Sequence, residues 1–264
     1  MKSISFDRAA SYYDETRRFP TGVSDRISDT TQTLLPPGAN VLELGTGTGR
    51  ISIPLMRRKV QMYGIDISSK MIHRFLEKLE PGSPLPNLAL ADATKLPFSA
   101  NIFDAILGVH VFHLIAGWQE AIYEAMRVLK PGGILLFSYD WRPPESPITE
   151  IQGKWKSLVR ELNGGHERPG TRDFDEIFQV LSETGATMME IEAASWSKTI
   201  QISEYIDSLE AGIYSSTWLL TPSELSEAAA SLREWATEHF GGLEGSVTVP
   251  RKFIWKKFEW AGNH

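Results

Sequence analysis

The segment Val41-Leu42-Glu43-Leu44-Gly45-Thr46-Gly47-Thr48-Gly49 constrains this chain more than any other. A short apolar run carrying one acid reads as a buried strand, and three glycines at alternate positions read as a tight turn into a helix from about Arg50. Glycine is needed where a backbone bends sharply or comes close to a ligand, because it has no Cβ to clash. The acid two residues before the first glycine separates two kinds of nucleotide site.

The pattern around that segment repeats. Val23, Ile27 and Leu34 recur at near-helical spacing up to Leu35, and Pro36-Pro37-Gly38 stops that helix. Strand one is expected at about Asn40 to Leu44, followed by a helix that tolerates Pro54 in its first turns. Strand two runs from about Val60 to Asp66, and Ser68 or Ser69 can cap the helix that carries Met71, Ile72, Phe75 and Leu79. Strand three is Leu88 to Ala91 and strand four Phe103 to Val109. The next helix has Trp118, Ile122, Ala125, Met126 and Leu129 on one face. Lys130-Pro131-Gly132-Gly133 is a turn into strand five, Ile134 to Tyr139. Strand–helix alternation with short turns predicts a parallel sheet with helices on both faces.

Beyond strand five the rhythm changes. Pro143-Pro144 and Pro147 break the chain, a helix near Glu150 to Leu162 is followed by Asn163-Gly164-Gly165, and Asp173 to Glu183 is helical again. Thr187 to Ser197 reads as a sixth strand, Gln201 to Gly212 and Pro222 to Phe240 as helices, and Val247 to Trp260 as the last strand. About 50 residues separate the last two strands, where a hairpin needs only about two to five, so this segment reads as a helical cap over the sheet's C-terminal edge. The whole is expected to be one domain over 1–264. Its core covers about 36–200 and 247–260, its N-terminal lid about 1–35 and its cap insertion about 201–246.

With 264 residues, 42% of them hydrophobic, the chain can bury a large core. It has no apolar run long enough for a transmembrane helix, and Met1 to Asp7 lacks the apolar centre of a signal peptide. The absence of cysteine excludes disulfides and thiolate zinc sites, and a cytoplasmic location is expected. A net charge of −6 disfavours nucleic acid as a partner. Arg57-Arg58-Lys59 and Arg251, Lys252, Lys256 and Lys257 read as solvated helix and strand ends.

Three acids then fall on one rim of the expected sheet. Glu43 precedes the glycine turn, Asp66 ends strand two 21 residues after Gly45, and Asp92 follows strand three. Ligands of such sheets lie outside the carboxyl ends of the strands, and the Asp66 spacing suits a carboxylate that accepts from two ribose hydroxyls. A dinucleotide fingerprint requires a third glycine where this chain has Arg50. Glu43 would also repel a pyrophosphate, by about 4 kcal/mol per unit-charge pair at 4 Å near a surface. A cationic nucleoside reverses that sign. Asp104 falls at the opposite edge, at the start of strand four, where a structural cap or ion pair is expected.

These motifs resemble the class I S-adenosylmethionine-dependent methyltransferases, and within them the type 11 branch of small-molecule and quinone-pathway enzymes. Four landmarks match in order: the Val41–Gly49 segment; Gly64-Ile65-Asp66-Ile67-Ser68; Ala91-Asp92-Ala93-Thr94-Lys95-Leu96-Pro97-Phe98 with Phe103-Asp104; and Arg127-Val128-Leu129-Lys130-Pro131-Gly132-Gly133. They cover about residues 10 to 140. The resemblance implies a Rossmann-like, doubly wound α/β sheet of seven strands, mostly parallel with an antiparallel last strand, plus the helical cap. It implies S-adenosylmethionine as cofactor and S-adenosylhomocysteine as product. Gly45, Thr46 and Gly47 would pass beneath the methionine part, and Glu43 would help hold its ammonium. Asp66 would take the ribose hydroxyls, Ile67 and Met71 would lie near the adenine, and Asp92 with Ala93 would meet its amino group. Val109 and His110 would border the methionine side. Tyr13 and Arg17, ahead of the first strand, would fold over the cofactor, with Arg17, or its rival Arg18, facing the carboxylate.

The expected activity is methyl transfer to O, N or C of a small-molecule acceptor, driven mainly by proximity and desolvation. His113 is the candidate base if the acceptor must lose a proton. Asp140, Trp141 and Arg142 end strand five at the same rim, and Tyr205, Tyr214 and Trp218 could wall an acceptor pocket. No metal site is expected. The alternative is a methyltransferase-like domain without catalysis that binds S-adenosylmethionine or S-adenosylhomocysteine as a regulatory or partner subunit.

Overall fold

A computed structural model describes residues 2–162, 164, 169–171 and 173–261, with Asp140 by its backbone alone. Asn163 and Gly165 of the expected break, and the side chain of Asp140, lie outside what is described. In chain order the elements are α1 (Tyr13–Arg17), α2 (Val23–Thr33), β1 (Asn40–Leu44), α3 (Ser52–Arg57), β2 (Gln61–Asp66), α4 (Ser69–Glu77), β3 (Asn87–Leu90), β4 (Phe103–Val109), α5 (Trp118–Val128), β5 (Leu129–Ser138), α6 (Pro147–Leu162), α7 (Phe174–Glu183), β6 (Ala186–Gln201), α8 (Ile202–Glu210), α9 (Pro222–Phe240) and β7 (Ser246–Trp260). The seven strands form one sheet in the order 3-2-1-4-5-7-6, and the two-residue strand Asp140–Trp141 also pairs with β7. β1 pairs in parallel with β2 and β4, β2 with β3, and β4 with β5, while β7 runs antiparallel to β5. This is the expected doubly wound sheet with its reversed last strand.

The apolar runs explain the arrangement. Val41, Leu42 and Leu44 of β1 and Ala105, Ile106 and Leu107 of β4 are fully buried, as strands covered on both faces must be. Ala121, Ile122, Ala125 and Val128 place one stripe of α5 in the same core. Ser68 caps α4 by accepting from the Met71 N–H at 3.1 Å. α9 opens with a capping box between Thr221 and Glu224 and with Pro222 in its first turn.

Three local expectations are corrected. The helix expected from Arg50 begins at Ser52, because the turn is still unwinding there, and it ends after six residues at Arg57. The leading segment, read without secondary structure, contains the short helix α1. The Lys130-Pro131-Gly132-Gly133 turn is a bulge inside β5: Leu129 pairs with Phe103 and Ile134 already pairs with Ala105, so the extra residues loop out of the ladder.

The chain divides into two compact units. The first comprises 1–140, 169–194 and 253–264, and the second 141–168 and 195–252. The second therefore contains the expected insertion 201–246 and takes in α6 as well. It has a core of its own, in which Ile148, Ile151 and Trp155 of α6 pack with Tyr205, Ile206 and Leu209 of α8 and Ala229 and Leu232 of α9.

Candidate functional site

The carboxyl ends of β1, β2 and β4 meet at the glycine turn, all within the first unit. Gly45 and Gly47 have φ of +64° and +56°, a region that side chains rarely adopt. A Cβ on Gly45 would also lie 2.6 Å from Val111 Cγ2, so the chain after β4 can close on the turn only because Gly45 has no side chain. Met71 approaches from α4, with its terminal methyl 3.3 Å from where a Gly47 Cβ would sit.

Two acids hold this turn from inside. Glu43 is 3% exposed. Its Oε2 accepts from the Thr46 hydroxyl at 3.1 Å and from the Ser52 hydroxyl, which joins the turn to the start of α3. Burial pushes its pKa up to about 7, against the lowering by those two hydroxyls and by the charge of Arg50. The half-buried Asp66 accepts from the Gly47 N–H at 2.9 Å through Oδ2 and from the Ser68 N–H at 2.8 Å through Oδ1. Burial raises its pKa too, although both backbone donors pull it down. Glu43 and Asp66 therefore converge on one turn, and among the described residues neither forms an ion pair. Arg50 is directed elsewhere: its Nη1 donates to the Arg17 carbonyl at 2.9 Å and its guanidinium lies over the Phe19 ring.

The rest of the rim follows from the strand ends. The Ala91 N–H donates to the Asp66 carbonyl, which brings Asp92 and the buried Ala93 beside β2. Asp92 is exposed, and its Oδ1 takes both the N–H and the hydroxyl of Thr94 at 2.9 Å. Ile67, half-buried, directly follows Asp66. Val109 is buried at the end of β4. His110 takes a left-handed φ of +54°, costly for a residue with a side chain, and its N–H donates to the Ser138 carbonyl at 3.1 Å. The rings of His110 and His113 both face Tyr139, at 5.9 and 6.1 Å between centroids.

The leading segment is stitched across this rim, and sequence reasoning missed most of the stitches. Ile4 donates to the Leu114 carbonyl, and Ser3 accepts from the Ala116 N–H. Asp7 accepts from the Ser68 hydroxyl at 2.6 Å. Asp14 accepts from the Thr48 hydroxyl at 2.7 Å and from Lys78 Nζ at 2.9 Å. Phe6 and Tyr13 stack edge to face. A signal was present: Phe6-Asp7 and Tyr13-Asp14 repeat an aromatic–acid pair. Asp104 is structural, as expected: it accepts from the Asn40 N–H at 2.9 Å and from Lys130 Nζ at 2.8 Å.

The remaining candidates lie in the second unit. The Tyr205 and Tyr214 rings are 6.1 Å apart in that unit's core, and Trp218 Nε1 donates to the Gly212 carbonyl. Trp141 is partly exposed under Lys252. Among the described residues no group of His, Asp or Glu is arranged to hold a metal ion.

The first-unit site fits a cationic nucleoside better than a diphosphate. Buried Glu43 and half-buried Asp66 have no ion-pair partner among the described residues and attract positive charge; Lys78, which donates to the Thr48 hydroxyl of the turn at 3.2 Å, is paired with Asp14. Residues 42–137 match the family model of a methyltransferase domain, type 11. The chain is 32% identical over 157 residues to a malonyl-[acyl-carrier protein] O-methyltransferase of Methylococcus capsulatus, covering 59% of this chain and 56% of that one. It is 29% identical over 162 residues to the ubiquinone/menaquinone biosynthesis C-methyltransferase UbiE of Syntrophotalea carbinolica, covering 60% and 67%. It thus spans about half to two thirds of these relatives' length. The YcgJ protein of Bacillus subtilis has the same fold, with a TM-score of 0.60 at 20% identity, over 90% of this chain and 99% of that one.

Proposed function

Since this chain belongs to the class I S-adenosylmethionine-dependent methyltransferase family through the domain at residues 42–137, we propose that it methylates O, N or C of a small-molecule acceptor by in-line displacement. The observation that carries the reading is the pair of acids, buried Glu43 and half-buried Asp66, gathered at one glycine turn with no ion-pair partner among the described residues. S-adenosylmethionine supplies a methyl group on a sulfonium, already a good leaving group.

The chain's residues bind, orient and exclude water. Asp66 would take the ribose hydroxyls. Asp92, whose Oδ2 makes no described hydrogen bond, would meet the adenine amino group beside Ala93. Ile67 and Met71 would flank the base. Gly45, Thr46 and Gly47 would support the methionine part, and Val109 and His110 would border it. Glu43 would help hold the ammonium, directly or through water, by Oε1, since Oε2 is committed to Thr46 and Ser52. Tyr13 and Arg17, on the stitched segment, would cover the site, with Arg17 facing the carboxylate. Placing the acceptor atom in line, about 3 Å from the methyl carbon, can provide much of the acceleration. A dry site prevents competition by water. His113 serves as base only for an acceptor that must lose a proton.

No described helix is long and apolar enough to cross a membrane; we place the enzyme in the cytoplasm, with a small molecule rather than nucleic acid as its partner. The test is a melt with and without S-adenosylhomocysteine. At about 100 times Kd, binding adds roughly 2.7 kcal/mol, which for this length raises Tm by roughly 5–11 °C. NADH should leave Tm unchanged. A shift with NADH and none with S-adenosylhomocysteine overturns the reading, and transfer to an acceptor panel then separates the enzyme from a binding module.

A further inference from the structure

The second unit holds a polar cluster inside its otherwise apolar core. Gln152 on α6 donates a side-chain N–H to the phenol oxygen of Tyr205 on α8, and the Arg142 guanidinium hydrogen-bonds the same phenol. Tyr205 is buried, and burial pushes its pKa up, so the phenol keeps its proton at neutral pH. With its oxygen already receiving N–H groups, that proton is left to donate.

Two further donors have no partner at all among the described residues. Arg142 Nη1 and Trp155 Nε1 are both buried and unsatisfied, and Trp155, one turn beyond Gln152 on α6, is 2% exposed. Buried N–H groups almost always have an acceptor. Three acids of this unit are engaged elsewhere: Glu150 with His239, and Asp207 and Glu210 with Arg233. Both unsatisfied groups are donors, and one of them carries a full positive charge.

We propose that this cluster binds an organic carboxylate, with Arg142 supplying the charge and Tyr205 a neutral donor. A carboxylate has only acceptors, and its two oxygens match a guanidinium edge. One arginine balances a monoanion, whereas a phosphate monoester would bury a second, uncompensated charge. The inference stands on this unit's residues alone and does not depend on the methyl-transfer reading.

The test is melting of the full chain with acetate, benzoate and phenylacetate, each beside its primary amide, and with phenyl phosphate. All are measured at constant ionic strength with S-adenosylhomocysteine present throughout. At least one carboxylate should raise Tm while the amides do not. Arg142→Gln should weaken that carboxylate roughly tenfold or more, the scale of a charge-assisted hydrogen bond, and Tyr205→Phe by less. Without ligand, Arg142→Gln loses its bond to the Tyr205 phenol but also relieves an unsatisfied buried donor, so Tm should change little; an arginine whose role is to hold the fold would lower Tm strongly. If Arg142→Gln fails to fold, that role is supported and the proposal is overturned. It is also overturned if no carboxylate shifts Tm, if Arg142→Gln binds as the parent does, or if phenyl phosphate binds more tightly than every carboxylate.

Discussion

The two ends of the central sheet treat their carboxylates in opposite ways. At the amino end of β4, Asp104 is held by the Lys130 ammonium and the Asn40 N–H. Burial works to raise its pKa, but those partners outweigh it and the carboxyl stays below its ordinary range. At the carboxyl ends of β1 and β2, Glu43 and Asp66 have only hydroxyl and backbone donors, and there burial wins. An acid that holds the fold together carries its counterion with it. An acid kept without one, at the rim where such sheets bind ligands, leaves its charge for something the chain does not provide.

The largest effect that could break this contrast is at Glu43. Its pKa rises from 4.5 in the unfolded chain to about 7 in the fold. The folded state then holds a proton that the unfolded state has released, so stability is fully present below about 4.5 and is lost as pH rises through about 7. The loss amounts to at most about 3 kcal/mol. Glu43→Gln keeps an acceptor for Ser52 and removes the titration, so its advantage over the parent should grow across that window in unliganded denaturant unfolding. A difference that stays flat with pH would group Glu43 with Asp104. Because a cationic ligand favours the ionised carboxylate, S-adenosylmethionine should also bind the parent more tightly as pH rises through about 7.

Asp66→Asn comes next. It should weaken S-adenosylhomocysteine by roughly 10–100-fold, the value of hydrogen bonds to a charged group, and it should also lower the unliganded Tm, because the amide nitrogen of Asn replaces one of the two oxygens that accept from the Gly47 and Ser68 N–H groups. Calorimetric titration of the variant checks this, and an unchanged Kd would remove Asp66 from the site.

The contrast was legible in the sequence because it follows from strand ends. Glu43, Asp66, Asp92 and Asp104 were assigned to their edges by apolar runs alone, and in a parallel sheet the direction of a strand fixes which end each residue reaches. What could not be read was how each side chain would spend its acceptors. Ser52 and Thr46 claim the same oxygen of Glu43, a result of the turn's three-dimensional path that no spacing rule contains. The stitches from Asp7 and Asp14 join residues far apart in sequence, so local periodicity was silent about them. The bulge at Lys130–Gly133 looked like a turn because Pro and Gly mark both. The prolines before α6 suggested a break and gave no hint that α6 would pack with α8 and α9.

Asp104→Asn sharpens the comparison from the other end. Losing the Lys130 pair should cost about 1 kcal/mol at neutral pH, since the groups are only partly buried. Because the folded pKa is depressed, this contribution is present above the unfolded value and disappears as pH falls through the folded one. The parent and variant should therefore converge in acid, whereas Glu43→Gln converges with its parent at the same end for the opposite reason. S-adenosylhomocysteine affinity should not change; a loss would mean that the two ends are not independent.

Asp14 gives the smallest effect and separates partner from place. Like Asp104 it has a cation, Lys78, and like Asp66 it bonds to the glycine turn, through Thr48. If a counterion is what makes an acid structural, Asp14→Asn should loosen the leading segment without greatly affecting the ligand. The pair is about a third exposed, so its loss should cost less than about 1 kcal/mol and shrink further in high salt. Global melting would barely register that, but amide exchange at residues 13–17 would, because local opening is governed by local contacts. Faster exchange there, with S-adenosylhomocysteine affinity changed less than about threefold, keeps the partner rule. An affinity loss as large as that of Asp66→Asn would show instead that position at the rim decides the role, whatever cation stands beside the acid.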